Sequence, residues 1–509
     1  MLNADDLLAL GPLLALLAAT VLTLLLVAVR RSHGLAAGTA AVGLLACLAL
    51  LPGAARLAPR DVDGLLLLDP AGLFYLGLIS LAALATCLMA YAYLERFDGR
   101  REEFYVLLLA ATLGAGSVVL SDHFAAFFLG LELMSVSLFA LIAYPAARQR
   151  PLEAGIKYLI LAGLSSALLA FGIALIYYDS GSLQFSGFGA CFGARPMGAT
   201  GQAWLLLAGN ALLLAGLGFK LSLVPFHLWA PDVYEGAPAP AAGFLATVSK
   251  GAIAAMLVRY AGETQLHDQP AMIVLLELAA ILSIAAGNLL ALLQDNLKRL
   301  LAYSSIAHLG YLLVAVIAGG TLGAEAVAYY LLAYFAMNLG AFGVIAALSS
   351  GRRDGEGEAD RLEDYRGLFW HKPLLAGILT VNLLSLAGIP LTIGFIGKFY
   401  LFASGVGAAR WLLVAALVAG SIVGLFYYLR VVIVLFARQP AAPAPGIAGN
   451  GAAWASALTL SFLALTLVWL GLYPEPAMEL IRSVHAPFYR TEVSRLRLRP
   501  PPLRPSLRM

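Results

Sequence analysis

Apolar segments of about twenty residues succeed one another along nearly the whole chain, each long enough to cross a bilayer as a helix. Fourteen such spans are expected, at approximately 7–29, 34–57, 69–94, 103–120, 122–144, 151–178, 203–225, 239–262, 270–294, 297–320, 322–349, 372–402, 409–437 and 452–473. A membrane barrel would instead alternate apolar and polar residues in runs of about ten. The predicted fold class is therefore all-α, a polytopic bundle. Of 509 residues only 12% are charged, against about 25% in a soluble domain. The first span comes after Asp5 and Asp6 rather than a basic stretch, so it reads as a retained helix and not a cleaved signal.

Arginine and lysine set the orientation. They gather in the loops after odd-numbered spans, among them Arg30, Arg31, Arg96, Arg148, Arg150, Arg352, Arg353, Arg361 and Arg438. The loops after even-numbered spans hold only Arg56, Arg60, Arg195 and Arg410. Both termini are expected outside. The Pro- and Arg-rich tail 489–509 runs against this rule.

Two spans carry helix breakers at mid-depth. The seventh contains Pro225, then Pro231, and the twelfth reads "LLSLAGIPLTIGFIGKFY", with Gly388 and Pro390. Each break lies near a lysine, Lys220 or Lys398. Paired interruptions in corresponding places of two halves point to inverted repeats, although proline kinks are also common in membrane helices. The expected organisation is 1–102 (spans one to three), 103–262 (first repeat), 263–438 (second repeat), 439–488 (span fourteen and a C-terminal segment) and the tail 489–509.

The basic residues are divided unevenly. Of 32, only six are lysine: Lys157, Lys220, Lys250, Lys298, Lys372 and Lys398. Nearly all the arginines lie in the loops, at span ends or in the tail, while four lysines lie inside spans. A buried lysine can release its proton and an arginine cannot. A charge at a helix centre costs about 2.5–3.5 kcal/mol on insertion scales, so these lysines are candidate functional groups. Glu132, ten residues beyond Asp122, lies about 15 Å in and is the expected partner of Lys220, with the Pro225 break letting backbone and water reach that amine. Glu153 and Lys157 sit at i and i+4, as an interfacial ion pair or a proton-path pair. Lys298, at the start of span ten, is either a snorkelling anchor or part of the path. His227 and His308 either shuttle protons or satisfy local backbone. Glu277 and Glu325 lack an evident lysine partner.

Cys47, Cys87 and Cys191 are far apart and form no CxxC or Cys/His cluster, which argues against iron–sulfur, zinc and disulfide frameworks. No phosphate-binding loop follows a strand, and nothing suggests nucleic acid.

The segments "LELMSVSLFALIAY", "EAGIKYLILAGLSSALLAFGIALIYY", "FHLWAPDVYEGAPAPAAGFLATVSKGA", "NLKRLLAYSSIAHLGYLL" and "LEDYRGLFWHKP" with the span after it resemble the subunit N family of the bacterial proton-pumping NADH:quinone oxidoreductase, respiratory complex I. The likeness covers nearly the whole chain. It is similar, more distantly, to subunits L and M and to multisubunit cation/proton antiporters. The resemblance implies fourteen helices, two inverted five-helix repeats, broken helices seven and twelve, and a hydrophilic axis in mid-membrane. Position by position it implies a proton path through Glu132, Lys220, Lys250 and Lys398, with Glu153, Lys157, His227, Lys298 and His308 at further polar positions and breaks at Pro225 and Pro390. It implies that this chain binds no cofactor, with FMN, iron–sulfur clusters and quinone in partner subunits. The implied partners are subunit M, small subunits K and J, the lateral helix of subunit L and membrane lipid, in a bacterial inner membrane. A cation/proton antiporter subunit and a non-conducting scaffold are the alternatives. The tail after 488 is longer and more basic than the family pattern.

Overall fold

The structure is a computed structural model and describes residues 3–97, 100–144, 148–187, 201–351, 357–438 and 453–485. The tail 489–509, Cys191, Arg195, Arg352 and Arg353 lie outside these. Twelve helices are long and apolar enough to cross a membrane. They are Gly11–Val29, His33–Leu57, Pro70–Leu94, Glu103–Leu120, Phe124–Ile142, Gln149–Ser180, Ala239–Glu263, Pro270–Ala291, Leu297–Ala318, Gly320–Ser349, Trp411–Phe436 and Trp454–Leu472. Two further apolar segments are interrupted. Gly201–Lys220 is followed by non-helical Leu221–Leu228 and then Trp229–Gly236, and Pro373–Ala387 is separated from Ile393–Gly407 by Gly388–Thr392. The arrangement is compatible with the fourteen spans expected, and the helices are numbered below as spans in that order.

Local chemistry explains the helix ends. Asp69 caps the third span from its side chain, with Pro70 in the first turn, where a missing N–H costs nothing. Asn296 caps the tenth span by accepting from the Lys298 and Arg299 N–H groups. The first half of the twelfth span ends at Gly388, whose φ of +83° lies in the left-handed region that favours glycine. One departure from an all-helical reading is a short antiparallel hairpin, Arg60–Val62 with Leu66–Leu68, at the end of the bundle away from the Arg-rich loops.

The third, eighth, tenth and eleventh spans form the centre of the bundle. The tenth is enclosed by protein on every side. Peripheral spans bury one stripe and leave Leu129, Phe171, Ile422 and similar residues exposed, as a lipid-facing surface does. Helix approach is close where glycine permits it. A Cβ on Gly114 in the fourth span would stand 2.5 Å from the Met134 nitrogen and 2.7 Å from the Gly130 oxygen. That contact fixes the fifth span, and with it Glu132.

Candidate functional site: a buried polar axis

The first half of the axis begins at the fifth and sixth spans. Glu132 accepts a 2.5 Å hydrogen bond from Ser166. One turn away on the same helix, Ser135 accepts from the Lys220 amine at 2.7 Å. Glu132 lies within electrostatic range of Lys220, in keeping with the expected partnership, and each takes a serine hydroxyl as its hydrogen-bond partner. Lys220 is the last residue of its helix, so the chain breaks immediately behind it.

The break serves a different lysine from the one expected. Lys250, fully buried, donates to the Leu221 carbonyl at 3.3 Å and to Ser222 Oγ at 2.5 Å. Leu221 and Ser222 lie just past the helix end, where carbonyls lose their intrahelical donors. Trp229 Nε1 donates to the Phe219 carbonyl at 3.0 Å, and Ser283 accepts from the Val224 N–H at 2.9 Å. Thus the non-helical turn around Pro225 is satisfied by neighbouring side chains, and its free backbone meets Lys250 rather than Lys220. A five-residue π-turn, Leu245–Ser249, immediately precedes Lys250; such turns often mark functional sites. The Lys250 amine also stands 5.3 Å from the Trp229 ring centre and 5.8 Å from that of Tyr234.

From Tyr234 a run of hydroxyls enters the second half. Tyr234 meets Ser305 at 3.4 Å, and Ser305 bonds to Tyr334. The Tyr334 ring lies 5.8 Å from that of His308. His308 uses both ring nitrogens, Nδ1 with Tyr330 at 2.9 Å and Nε2 with Tyr428 at 3.2 Å. Tyr428 also bonds Ser304. Lys398, in the second half of the twelfth span, reaches back to the Ala387 carbonyl at 2.9 Å and lies 5.3 Å from the Tyr311 ring centre. Tyr311 is also 5.5 Å from His308. Both interrupted helices therefore present a free carbonyl to a buried lysine.

Lys298 and the Glu153–Lys157 pair fall at the Arg-rich end. Lys298 is 1% exposed, so the snorkelling reading fails. It donates to the Ala237 carbonyl at 2.6 Å and to Glu358 of the long loop. The Glu153–Lys157 pair forms at 2.8 Å, with Lys157 43% exposed. It continues through Asp232 at 3.2 Å to Arg299, which also holds Glu235. His227 is buried beside the break with Nδ1 unpaired among the described residues. Glu277 pairs with Arg410 at 2.9 Å, and Glu325 lies 3.9 Å from Arg482. The partners of these two carboxylates are thus arginines distant in the chain, where the sequence pattern directs attention to lysines.

Sequence reasoning also misses Tyr234, Ser305, Tyr330, Tyr334, Tyr428, Asp232, Arg299 and Glu358. Some signal is present. Ser304, Ser305 and His308 recur at helical spacing in "YSSIAHLGY", and Tyr330 and Tyr334 stand at i and i+4. Among the described residues no group of three or more His, Cys, Asp or Glu could hold a metal ion.

A family profile described as "NADH:quinone oxidoreductase/Mrp antiporter, TM" matches residues 121–424, which contain nearly every residue of this axis. NADH-quinone oxidoreductase subunit N of Methylococcus capsulatus is 50% identical over 490 residues, covering 96% of this chain and 97% of that one. The chain belongs to the NADH:quinone oxidoreductase/Mrp antiporter family. Within that family it is a subunit N, an antiporter-like membrane-arm subunit of complex I. A chain of Thermus thermophilus respiratory complex I, solved with bound aureothin, superposes with a TM-score of 0.77 at 33% identity, over 92% of this chain and 98% of that one. The Mrp complex from Dietzia sp. DQ12-45-1b contains a chain with a TM-score of 0.81 at 21% identity, over 95% of this chain and 97% of that one. That last likeness speaks to the fold alone. The family assignment rests on the profile and on the 50% identity.

Proposed function

We propose that this antiporter-like subunit carries protons across the membrane, driven by NADH-to-quinone electron transfer in other subunits. The observation behind this reading is the buried run from Lys250 through Tyr234, Ser305 and Tyr334 to His308 and its tyrosines. Hydroxyls and imidazole both donate and accept hydrogen bonds, so each can take a proton on one side and release one on the other. Lysines stand on the axis at Lys220, Lys250 and Lys398, and an amine can cycle between charged and neutral forms where a guanidinium cannot. A scaffold would gain nothing from three buried amines, each of which is expensive in a membrane.

In this reading Glu132 and Lys220 form the inner end of the first repeat (103–262), and Lys398 ends the second (263–438). The Arg-rich loops face the cytoplasm of a bacterial inner membrane, and both termini face outside. FMN, iron–sulfur clusters and quinone belong to partner subunits. Subunits M, K and J and the lateral helix of L are the expected neighbours.

The test replaces Lys250 with Ala in the assembled complex and measures protons taken up by inside-out vesicles per NADH oxidised. The expected result is a fall in that ratio with the complex intact. A normal ratio rejects the proton path, and loss of the complex itself supports a scaffold. Lys220→Arg is the sharper variant, because it keeps the charge and removes only its release; full pumping there would reject amine deprotonation.

A further inference from the structure

The long loop after the eleventh span does more than connect. Glu358 turns inward and is held from three elements. Lys298 of the tenth span donates to one carboxylate oxygen, and Tyr93 of the third span donates to the other. The N–H of Ala239, first residue of the eighth span, donates to that second oxygen at 2.9 Å. A carboxylate at a helix N-terminus is also favoured by the helix dipole. The side chain is 11% exposed, and that of Lys298 is 1% exposed. Tethers hold the residues that follow Glu358. The Ala359 N–H donates to Ser349, Tyr365 donates to the Ala359 carbonyl, and Asp360 accepts from Asn296 at 3.0 Å. The pair thus stands between the Arg-rich surface and the buried axis.

Polar groups continue inward of this pair. Ser305 lies seven residues into the same helix, about 10 Å deeper. On the eleventh span, Asn338 sits one turn from Tyr334, fully buried, and its Oδ1 has no partner among the described residues. A buried unpaired amide oxygen is a site at which a water is expected. Nothing in the axis of Lys220, Lys250, His308 and Lys398 uses Lys298 or Glu358.

We propose that Glu358 is the loading carboxylate of the second repeat, which takes a proton from the Arg-rich side and passes it to Lys298. This rests on the proton-transport reading above. At rest the pair is Lys298 ammonium with Glu358 carboxylate, net charge zero. When the ammonium gives its proton inward, the pair is left as neutral amine and carboxylate, net charge minus one. A buried carboxylate whose ammonium neighbour has turned neutral is disfavoured, although Tyr93 and the Ala239 N–H still donate to it. It recovers neutrality by binding one proton from the aqueous side and hands it to the Lys298 amine, which restores the starting pair. One proton has entered and one has gone inward. The other charged and titratable groups around this pair are Tyr93, Arg96 at the end of the third span, and Arg148 ahead of the sixth. Asp360 lies on the loop itself, with Arg150 at 3.9 Å from it. Burial pushes the Glu358 carboxyl up, but Lys298, Tyr93 and the Ala239 N–H outweigh this and keep it below the usual carboxylate range. Glu358 therefore rests as a carboxylate, as the cycle requires.

The experiment compares Glu358→Gln, Glu358→Asp and Lys250→Ala in the assembled complex, reading protons per NADH in inside-out vesicles. Glutamine keeps hydrogen bonds to Tyr93 and Ala239 but cannot load a proton. Expected is a loss with Glu358→Gln as large as that with Lys250→Ala, and recovery of at least half of it with Glu358→Asp. Normal pumping in Glu358→Gln beside impaired Lys250→Ala overturns this proposal and leaves the transport reading standing. Normal pumping in Lys250→Ala overturns both. If Glu358→Gln fails to assemble, the double variant Lys298→Met with Glu358→Gln replaces the pair by neutral groups, a change buried pairs often tolerate. An assembled double variant with low pumping supports the proposal. Normal pumping, or failure to assemble, makes the pair structural and overturns it.

Discussion

Adding one methyl group at Gly388 tests Lys398 without altering its charge or identity. Gly388 has φ of +83°, and a Cβ built there would stand 2.9 Å from Lys398 Cδ, 3.4 Å from Cε and 3.3 Å from Nζ. Left-handed backbone costs an alanine about 1–2 kcal/mol. The lysine stem is the flexible partner in the clash, so it is the lysine that moves. Its amine then leaves the Ala387 carbonyl, 2.9 Å away, and a hydrogen bond from a charged group is worth about 1.5–3 kcal/mol. The sum, about 2.5–5 kcal/mol, does not exceed the margin of a typical folded domain but is large enough to empty the resting position of Lys398. Gly388→Ala is therefore expected to assemble, as judged by native electrophoresis, and to pump fewer protons per NADH in inside-out vesicles. Gly377 provides the control. It lies on the same half-helix, and a Cβ there meets nothing within 4 Å, so Gly377→Ala should be silent. If Gly388→Ala pumps like the parent, the position of Lys398 against the broken helix does not matter to transport.

Tyr334→Phe removes the hydroxyl that bonds Ser305; stability should fall by only about 1 kcal/mol, while protons per NADH drop, and an unchanged ratio would remove this hydroxyl from the path. Asp122, outside the spans, is raised to about 6 by burial first and then by Glu263, with Arg259 opposing. A raised carboxyl contributes stability that is present below about pH 4 and lost as pH rises through about 6, by roughly 1 kcal/mol once solvent screening discounts the shift. Asp122→Asn should therefore melt with the parent at pH 4 and above it at pH 7, and equal melting temperatures at both would reject the assignment. Asp232→Asn removes the negative charge shared by Lys157 and Arg299 and one of the two oxygens that accept from them. The expected cost is about 0.5–1 kcal/mol, read as a lower melting temperature that 1 M salt largely erases; a salt-independent loss would mean that Asp232 acts through packing.

The polytopic helical character, the two interruptions and the lysines are legible in the sequence because each carries a strong local cost. Twenty apolar residues, a proline at mid-depth or an amine in hydrocarbon all stand out along one dimension. The pairing of groups is not legible. Lys250 meets Leu221 and Ser222, nearly thirty residues away, and Glu358 meets Lys298 from sixty residues away. Spans apolar on all sides give no preferred face from which to infer such meetings. Hydroxyls escape notice for a related reason. A tyrosine in a membrane helix is apolar over most of its surface and costs little, so Tyr334 and Tyr428 look like filling until Ser305 and Ser304 are seen beside them.

The enclosed tenth span has a mechanical consequence. It carries Lys298, Ser304, Ser305 and His308, and protein surrounds it on every side. A helix without a lipid face cannot slide or tilt unless its neighbours yield, and densely filled interiors resist such displacement. The moving parts along it are then rotors: hydroxyls and one imidazole turning in place against a stationary column. Side-chain rotations are fast compared with collective helix shifts, which take microseconds to milliseconds. Whatever paces this subunit would act on the column from its ends, at the loop that grips Lys298 and at the interrupted helix that holds Lys398.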